Sequence, residues 1–157
     1  MKFEDIYKEY WQKIFRLCMG YTNNYELAQD MAQETFIIVW QQLPKFKQEA
    51  SIGTWIYKIA TKNCLRQIEK QNRFPKAELP VNLAEENQAN IEPQIKLLYK
   101  FISELPEADR IIISLELENI KQAEIAIIVG LSEANIRVKI HRIKEKLSQK
   151  FNQNGQR

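Results

Sequence analysis

The residues of this chain best suited to chemistry fall into three groups, and none of them is a catalytic set. Asp30, Gln33, Glu34 and Gln41 lie in one narrow stripe when the segment is wound at about 100° per residue, with Ile37 in the middle. Carboxylates and amides in a row give and accept hydrogen bonds along another surface. Lys58, Lys62 and Arg66 recur every four residues and form a basic ridge suited to a phosphate backbone. From Arg137 to Lys150 the chain sets Arg137, Lys139, Arg142, Lys144, Lys146 and Lys150 against Glu145 alone, a second basic helix face. Taken singly, each group also reads as an ordinary solvated face.

Other chemistries lack their residues. There is one histidine, His141, and only four glycines, with no phosphate-cradling loop and no metal-ligand spacing. Cys18 and Cys64 are far apart in sequence, each in a helical apolar context, and are expected to be buried reduced thiols. The expectation is therefore a protein that is not an enzyme and uses no cofactor, metal or small-molecule substrate.

Helices must position these groups. Phe3, Ile6, Tyr7, Tyr10, Ile14, Leu17 and Tyr21 recur at helical spacing, and Asn23 and Asn24 can cap the next helix. That second helix runs from about Tyr25 to Leu43, where Pro44 ends its hydrogen-bond ladder. Around its polar stripe, Leu27, Met31, Phe36, Ile38, Val39, Trp40 and Leu43 are expected to be core. Burying residues such as Phe36 and Trp40 is worth roughly 1.5 to 3 kcal/mol each. KFKQEAS, residues 45–51, reads as a loop before a third helix from about Ile52 to Gln71.

Residues 72–93 hold three of the five prolines and two basic against four acidic residues, and read as a linker between two mildly basic blocks. Beyond it, Ile95, Leu98, Tyr99, Ile102 and Leu105 mark another helix, and a further one starts near Pro106. No β-alternation survives a count, so the fold expected is all-α: two small helical domains, 1–71 and 94–150, joined by the linker 72–93 and followed by a polar tail, 151–157. With 45% hydrophobic and 27% charged residues the composition is that of a globular chain. No run approaches the roughly 18 apolar residues of a membrane span, and MKFEDIYKEYW is too polar for a secretory signal, so a cytoplasmic location is expected.

The most specific local pattern is AEIAIIVGLSEANIRVKIHRIKEKL, a helix-turn-helix. Ala126 allows close helix approach, Gly130 makes the turn, Leu131 anchors it and Ser132 caps the second helix. Ile136, Ile140, Ile143 and Leu147 then face inward, while Ala134, Arg137, Val138, His141 and Arg142 face out. A major groove accepts one helix; Arg reads guanine bidentately and Val can touch a thymine methyl. Lys139, Lys144 and Lys146 are placed for phosphates.

DMAQETFIIVWQQLPKF with TWIYKIA resembles region two of bacterial sigma factors, and LPEADR with the helix-turn-helix resembles region four. With only those two regions, the chain resembles the extracytoplasmic-function group of the sigma-70 family. The resemblance implies an RNA polymerase sigma factor that directs core enzyme to promoters and aids melting. Asp30, Gln33, Glu34, Ile37 and Gln41 would then dock on the clamp helices of the polymerase β′ subunit. Lys45, Lys47, Gln48, Glu49 and Ser51 would form the loop that captures a flipped minus-ten base, with Lys58, Lys62 and Arg66 along the strand. Arg137, Val138, Lys139, His141 and Arg142 would bind the minus-thirty-five element. Family members often have Asn where Lys62 stands, and a small polar residue where Val138 stands. Partners implied are core polymerase, promoter DNA and an anti-sigma factor. The alternative is a free-standing helix-turn-helix regulator, which would bind DNA unaided and have no use for the acid and amide strip.

Overall fold

A computed structural model describes residues 2–73 and 92–155, and all the regular structure in them is helical. Most of the expected linker, residues 74–91, lies outside the described residues. Helix α1 spans Phe3–Thr22 and ends on Asn23, whose left-handed backbone (φ 50°) lets its N–H reach the Met19 carbonyl. Asn24 then caps α2 (Tyr25–Gln42) by accepting the Leu27 N–H at 3.0 Å. Pro44 lies in a short 3-10 turn, Leu43–Lys45, so the chain leaves α2 where its ring forbids another α-helical turn. The Ser51 hydroxyl accepts the Thr54 N–H at 3.2 Å and opens α3 (Ile52–Arg73).

The C-terminal half contains α4 (Pro93–Ser103), α5 (Glu107–Leu117), α6 (Gln122–Val129) and α7 (Glu133–Gly155). Gly130 ends α6 at φ 76°, a conformation that disfavours any side chain, and Ser132 caps α7 by accepting the Asn135 N–H at 3.1 Å. Ile136, Ile140, Ile143 and Leu147 are all buried, the inward face expected of the second helix of the motif.

The two halves share one core. α1 packs on α2 and α3, and also on α4 and α5, while α3 meets α6. Leu17, Cys18, Met19, Gly20 and Tyr21 are buried in succession, which an ordinary amphipathic surface helix does not show. The seam between the halves is polar as well as apolar. Arg16 donates to both carboxylate oxygens of Glu118, at 2.6 and 2.9 Å, and that pairing raises the Arg16 pKa further. Arg110 donates to the Tyr21 carbonyl at 2.9 Å and lies over the Tyr21 ring.

Cys18 and Cys64 are free and buried, as expected, yet their Sγ atoms lie 3.9 Å apart. Contact with Cys18, then burial, pushes the Cys64 thiol well above its ordinary pKa, so it stays protonated.

At Gly20 the halves approach closely: a Cβ there would lie 2.1 Å from the Ser114 Oγ. Gly20→Ala should therefore destabilise the chain by about 1 to 3 kcal/mol through overpacking. Urea denaturation followed by circular dichroism would register it, and an unchanged midpoint would contradict the close approach.

Candidate functional site

The acid and amide strip forms on α2 because the rest of that helix is held from behind. Ala28, Met31, Ala32, Thr35, Phe36 and Val39 are buried, which leaves Asp30, Gln33, Ile37 and Gln41 in solvent. Inside, the Asn63 amide donates to the Met31 carbonyl at 3.0 Å and to the Thr35 Oγ1 at 3.2 Å, a polar staple between α3 and α2. Arg66 and Gln67 extend it outward. Arg66 donates to the Asn63 Oδ1 at 3.1 Å and lies 3.5 Å from Glu34, while Gln67 donates to Glu34 at 2.6 Å. Glu34 is thus half-buried and held from α3, unlike its neighbours in the strip. Arg66, assigned to the basic ridge, points partly toward an acid rather than wholly toward solvent.

Trp40 departs from expectation. It is 62% exposed rather than core, while Phe36 is 2% exposed and packs against Tyr7 and Trp11. With Phe3, Tyr7, Gln33, Phe36 and Ile37 it lines an open groove of about 430 Å³. Ile37 is itself 55% exposed, so the strip has an apolar flank. The wheel contained the signal: Trp40 falls only about 20° from Gln33, at the edge of the polar stripe.

The loop after α2 forms the second surface. Phe46 turns inward and packs on Trp55, ring centroids 4.7 Å apart, which holds Lys45, Lys47 and Glu49 outward. Gln48 takes a left-handed backbone, φ 58°, at the tip. Ser51 is engaged as the cap of α3, donating to the Thr54 Oγ1 at 2.9 Å. A second groove runs over this loop, bordered by Lys45, Lys47, Ser51 and Lys58, and Lys62 is exposed a turn further on. Glu124 and Ile127 of α6 complete the groove's wall, a contribution from the other half of the chain that local pattern could not reveal.

On α7, Arg137, Val138, His141 and Arg142 are exposed together. His141 Nε2 lies 3.3 Å from Glu145. Among the described residues Arg137, Arg142 and Lys146 make no ion pair, whereas Lys144 meets Glu116 at 3.4 Å and Lys150 meets Glu104 at 2.6 Å. Lys139 is half-buried with Asp109 at 4.0 Å. Of the three lysines expected on phosphates, Lys146 alone has no acid partner among the described residues. No group of His, Cys, Asp and Glu able to hold a metal ion occurs among the described residues, and no helix there is long and apolar enough to cross a membrane.

Family models match both halves: Sigma-70 region 2 over residues 6–74, and Sigma-70, region 4 over residues 95–147. The chain is 26% identical to the RNA polymerase sigma factor YlaC of Bacillus subtilis, over 92% of this chain and 88% of that protein. It is 27% identical to the ECF RNA polymerase sigma factor SigW of the same organism, over 92% and 86%. Among solved structures, CnrH in complex with the cytosolic domain of CnrY is similar with a TM-score of 0.72 at 18% identity, covering 96% of this chain and 87% of that one. The sigma factor RpoE of Bartonella quintana, in complex with the anti-sigma factor NepR, gives 0.71 at 17% identity, covering 93% and 96%.

The different surroundings of two aromatic residues on α2 give a direct test. Phe36→Ala should cost about 3 to 5 kcal/mol of stability, and Trp40→Ala less than about 1 kcal/mol. Equal losses in urea melts of the two variants would contradict the exposure of Trp40.

Proposed function

We propose, from the premise that this chain belongs to the sigma-70 family and is an RNA polymerase sigma factor of the extracytoplasmic-function type, a division of labour among its surfaces. The strip Asp30, Gln33, Glu34, Ile37 and Gln41, widened by Trp40, grips the clamp helices of the polymerase β′ subunit. Ile37 and Trp40 supply the desolvated centre and the carboxylates and amides the polar rim, which is the usual anatomy of a specific interface. Glu34, bonded from behind by Gln67 and Arg66, is pre-oriented, so less rotamer freedom is lost on docking.

Lys45, Lys47, Gln48 and Glu49 receive the minus-ten strand, with Lys58 and Lys62 along its backbone. The Phe46 and Trp55 stack beneath them keeps the loop in place, and Ser51 acts through the start of α3. At the minus-thirty-five element Arg137 and Arg142 read base edges, His141 stands beside them and Val138 favours a thymine methyl. Lys139 and Lys146 lie toward phosphates. Residues 1–71 and 94–150 act as the two units of one bipartite factor, with residues 72–93 between them.

The observation that carries this reading is the coexistence, in one chain, of an exposed acid, amide and apolar strip on α2 and an unpaired arginine face on α7. A free-standing regulator needs only the second. The protein does its work in the cytoplasm beside the polymerase, without a catalytic group of its own. An anti-sigma factor is its proposed inhibitor, as the structurally similar sigma factor RpoE of Bartonella quintana forms a complex with the anti-sigma factor NepR.

Run-off transcription with purified core polymerase tests the assignment. Ile37→Asp should reduce co-elution with core enzyme and transcription at least about tenfold while leaving circular dichroism unchanged. Wild-type activity would remove the docking role. Arg142→Ala should weaken promoter recognition by about 1 to 3 kcal/mol, with the loss concentrated on one base of the upstream element. A uniform loss across upstream variants would make Arg142 a phosphate contact instead.

A further inference from the structure

Arg66 falls in step with Lys58 and Lys62 along the sequence, yet its surroundings on α3 differ from theirs. Its Nη2 lies between two acceptors, the Asn63 Oδ1 at 3.1 Å and a Glu34 carboxylate oxygen at 3.5 Å. Asn63 is 2% exposed, and its own amide is fixed on the Met31 carbonyl and on Thr35 of α2. Gln67 donates to the other Glu34 oxygen at 2.6 Å. One acid of the strip is therefore held at both oxygens from a neighbouring helix, and the anchor of the arrangement is a buried amide.

The exposed face of α3 changes character at the same point. Lys58 and Lys62 have no acid partner among the described residues. Past Lys62, as far as Glu69, the exposed positions among the described side chains are Leu65, Arg66 and Glu69. Leu65 is an apolar side chain 40% exposed, which a phosphate backbone has no use for. Glu69 stands three residues from Arg66 on the same side of the helix, so the arginine charge has an acid on either hand.

We propose that the promoter strand leaves α3 at Lys62, and that Arg66, with Asn63 and Gln67, belongs to the polymerase-docking surface as a positioning residue acting through Glu34. The inference rests on the sigma reading for what each surface binds, and on geometry for where one ends and the other begins. Turning the Arg66 guanidinium toward a phosphate would take from the Asn63 Oδ1 its donor. A buried acceptor left bare costs its full desolvation, whereas an exposed phosphate contact is weakened by salt.

Binding to core polymerase in the absence of DNA separates the two roles, because a strand contact contributes nothing there. Arg66→Ala, its fold checked by circular dichroism, should bind core about three- to tenfold more weakly than wild type, the cost of ordering a released side chain. Glu34→Ala/Arg66→Ala should bind no more weakly than Glu34→Ala alone, since the arginine acts through that acid. With core saturating, the salt dependence of promoter binding should keep its slope in Arg66→Ala, while Lys62→Ala should flatten it by roughly 0.7, the contribution of one single-strand phosphate. Wild-type affinity for core in Arg66→Ala, or a slope flattened as in Lys62→Ala, would overturn the proposal. NMR relaxation of the Arg66 Nε–H in the free chain provides the arm that needs no polymerase. Its order parameter should exceed about 0.6 in wild type and fall below that in Glu34→Ala. A freely mobile Arg66 in wild type would overturn the assignment, whereas failure of wild type itself to bind core would overturn the function proposed above.

Discussion

The constraint on which the rest of this structure depends is that α1 must bury its C-terminal turns on all sides. Leu17 through Tyr21 leave no solvent face, so helices have to cover them from two directions. α2 and α3 supply one side, α4 and α5 the other. The N-terminal end of the same helix is free of this demand, and there Tyr7 and Trp11 turn to Phe36 and fix α2. One helix thus positions both the acid and amide strip and the helix-turn-helix half. Gly20 is needed because any larger residue would hold α1 and α5 apart.

Polar groups are divided in the same economical way. Asn63, Thr35 and the Met31 carbonyl satisfy one another inside, and Arg66 and Gln67 carry the network out to Glu34. Charges with partners, such as Lys144, Lys150 and Arg16, hold helices to one another. Among the described residues Arg137, Arg142 and Lys146 on α7 and Lys45, Lys47, Lys58 and Lys62 around the loop after α2 have no such partner, as is true of several charges along α1.

Features encoded locally were legible in the sequence. Asn24, Pro44, Gly130 and Ser132 act on their own backbone or on residues a turn away, and the elements they bound lie where spacing put them. The inward isoleucines of α7 follow from the helical repeat alone. Trp40 escapes such a reading because FIIVW looks uniformly apolar, and apolar character says nothing about which side has a neighbour. The approach of Cys18 to Cys64, the Gly20 and Ser114 contact and the groove shared by Glu124 and the loop after α2 each join residues far apart in sequence. The lysines of α7 carry no mark separating those that pair with α5 or α4 from those that do not. That distinction depends on where Glu116 and Glu104 arrive in space.

The bare flank formed by Phe3, Tyr7, Ile37 and Trp40 has a consequence for the life of the free protein. A greasy recess on a chain carrying a net charge of only +3 invites self-association at high concentration, because little long-range repulsion opposes contact between copies. A molecule with that recess uncovered is best kept dilute.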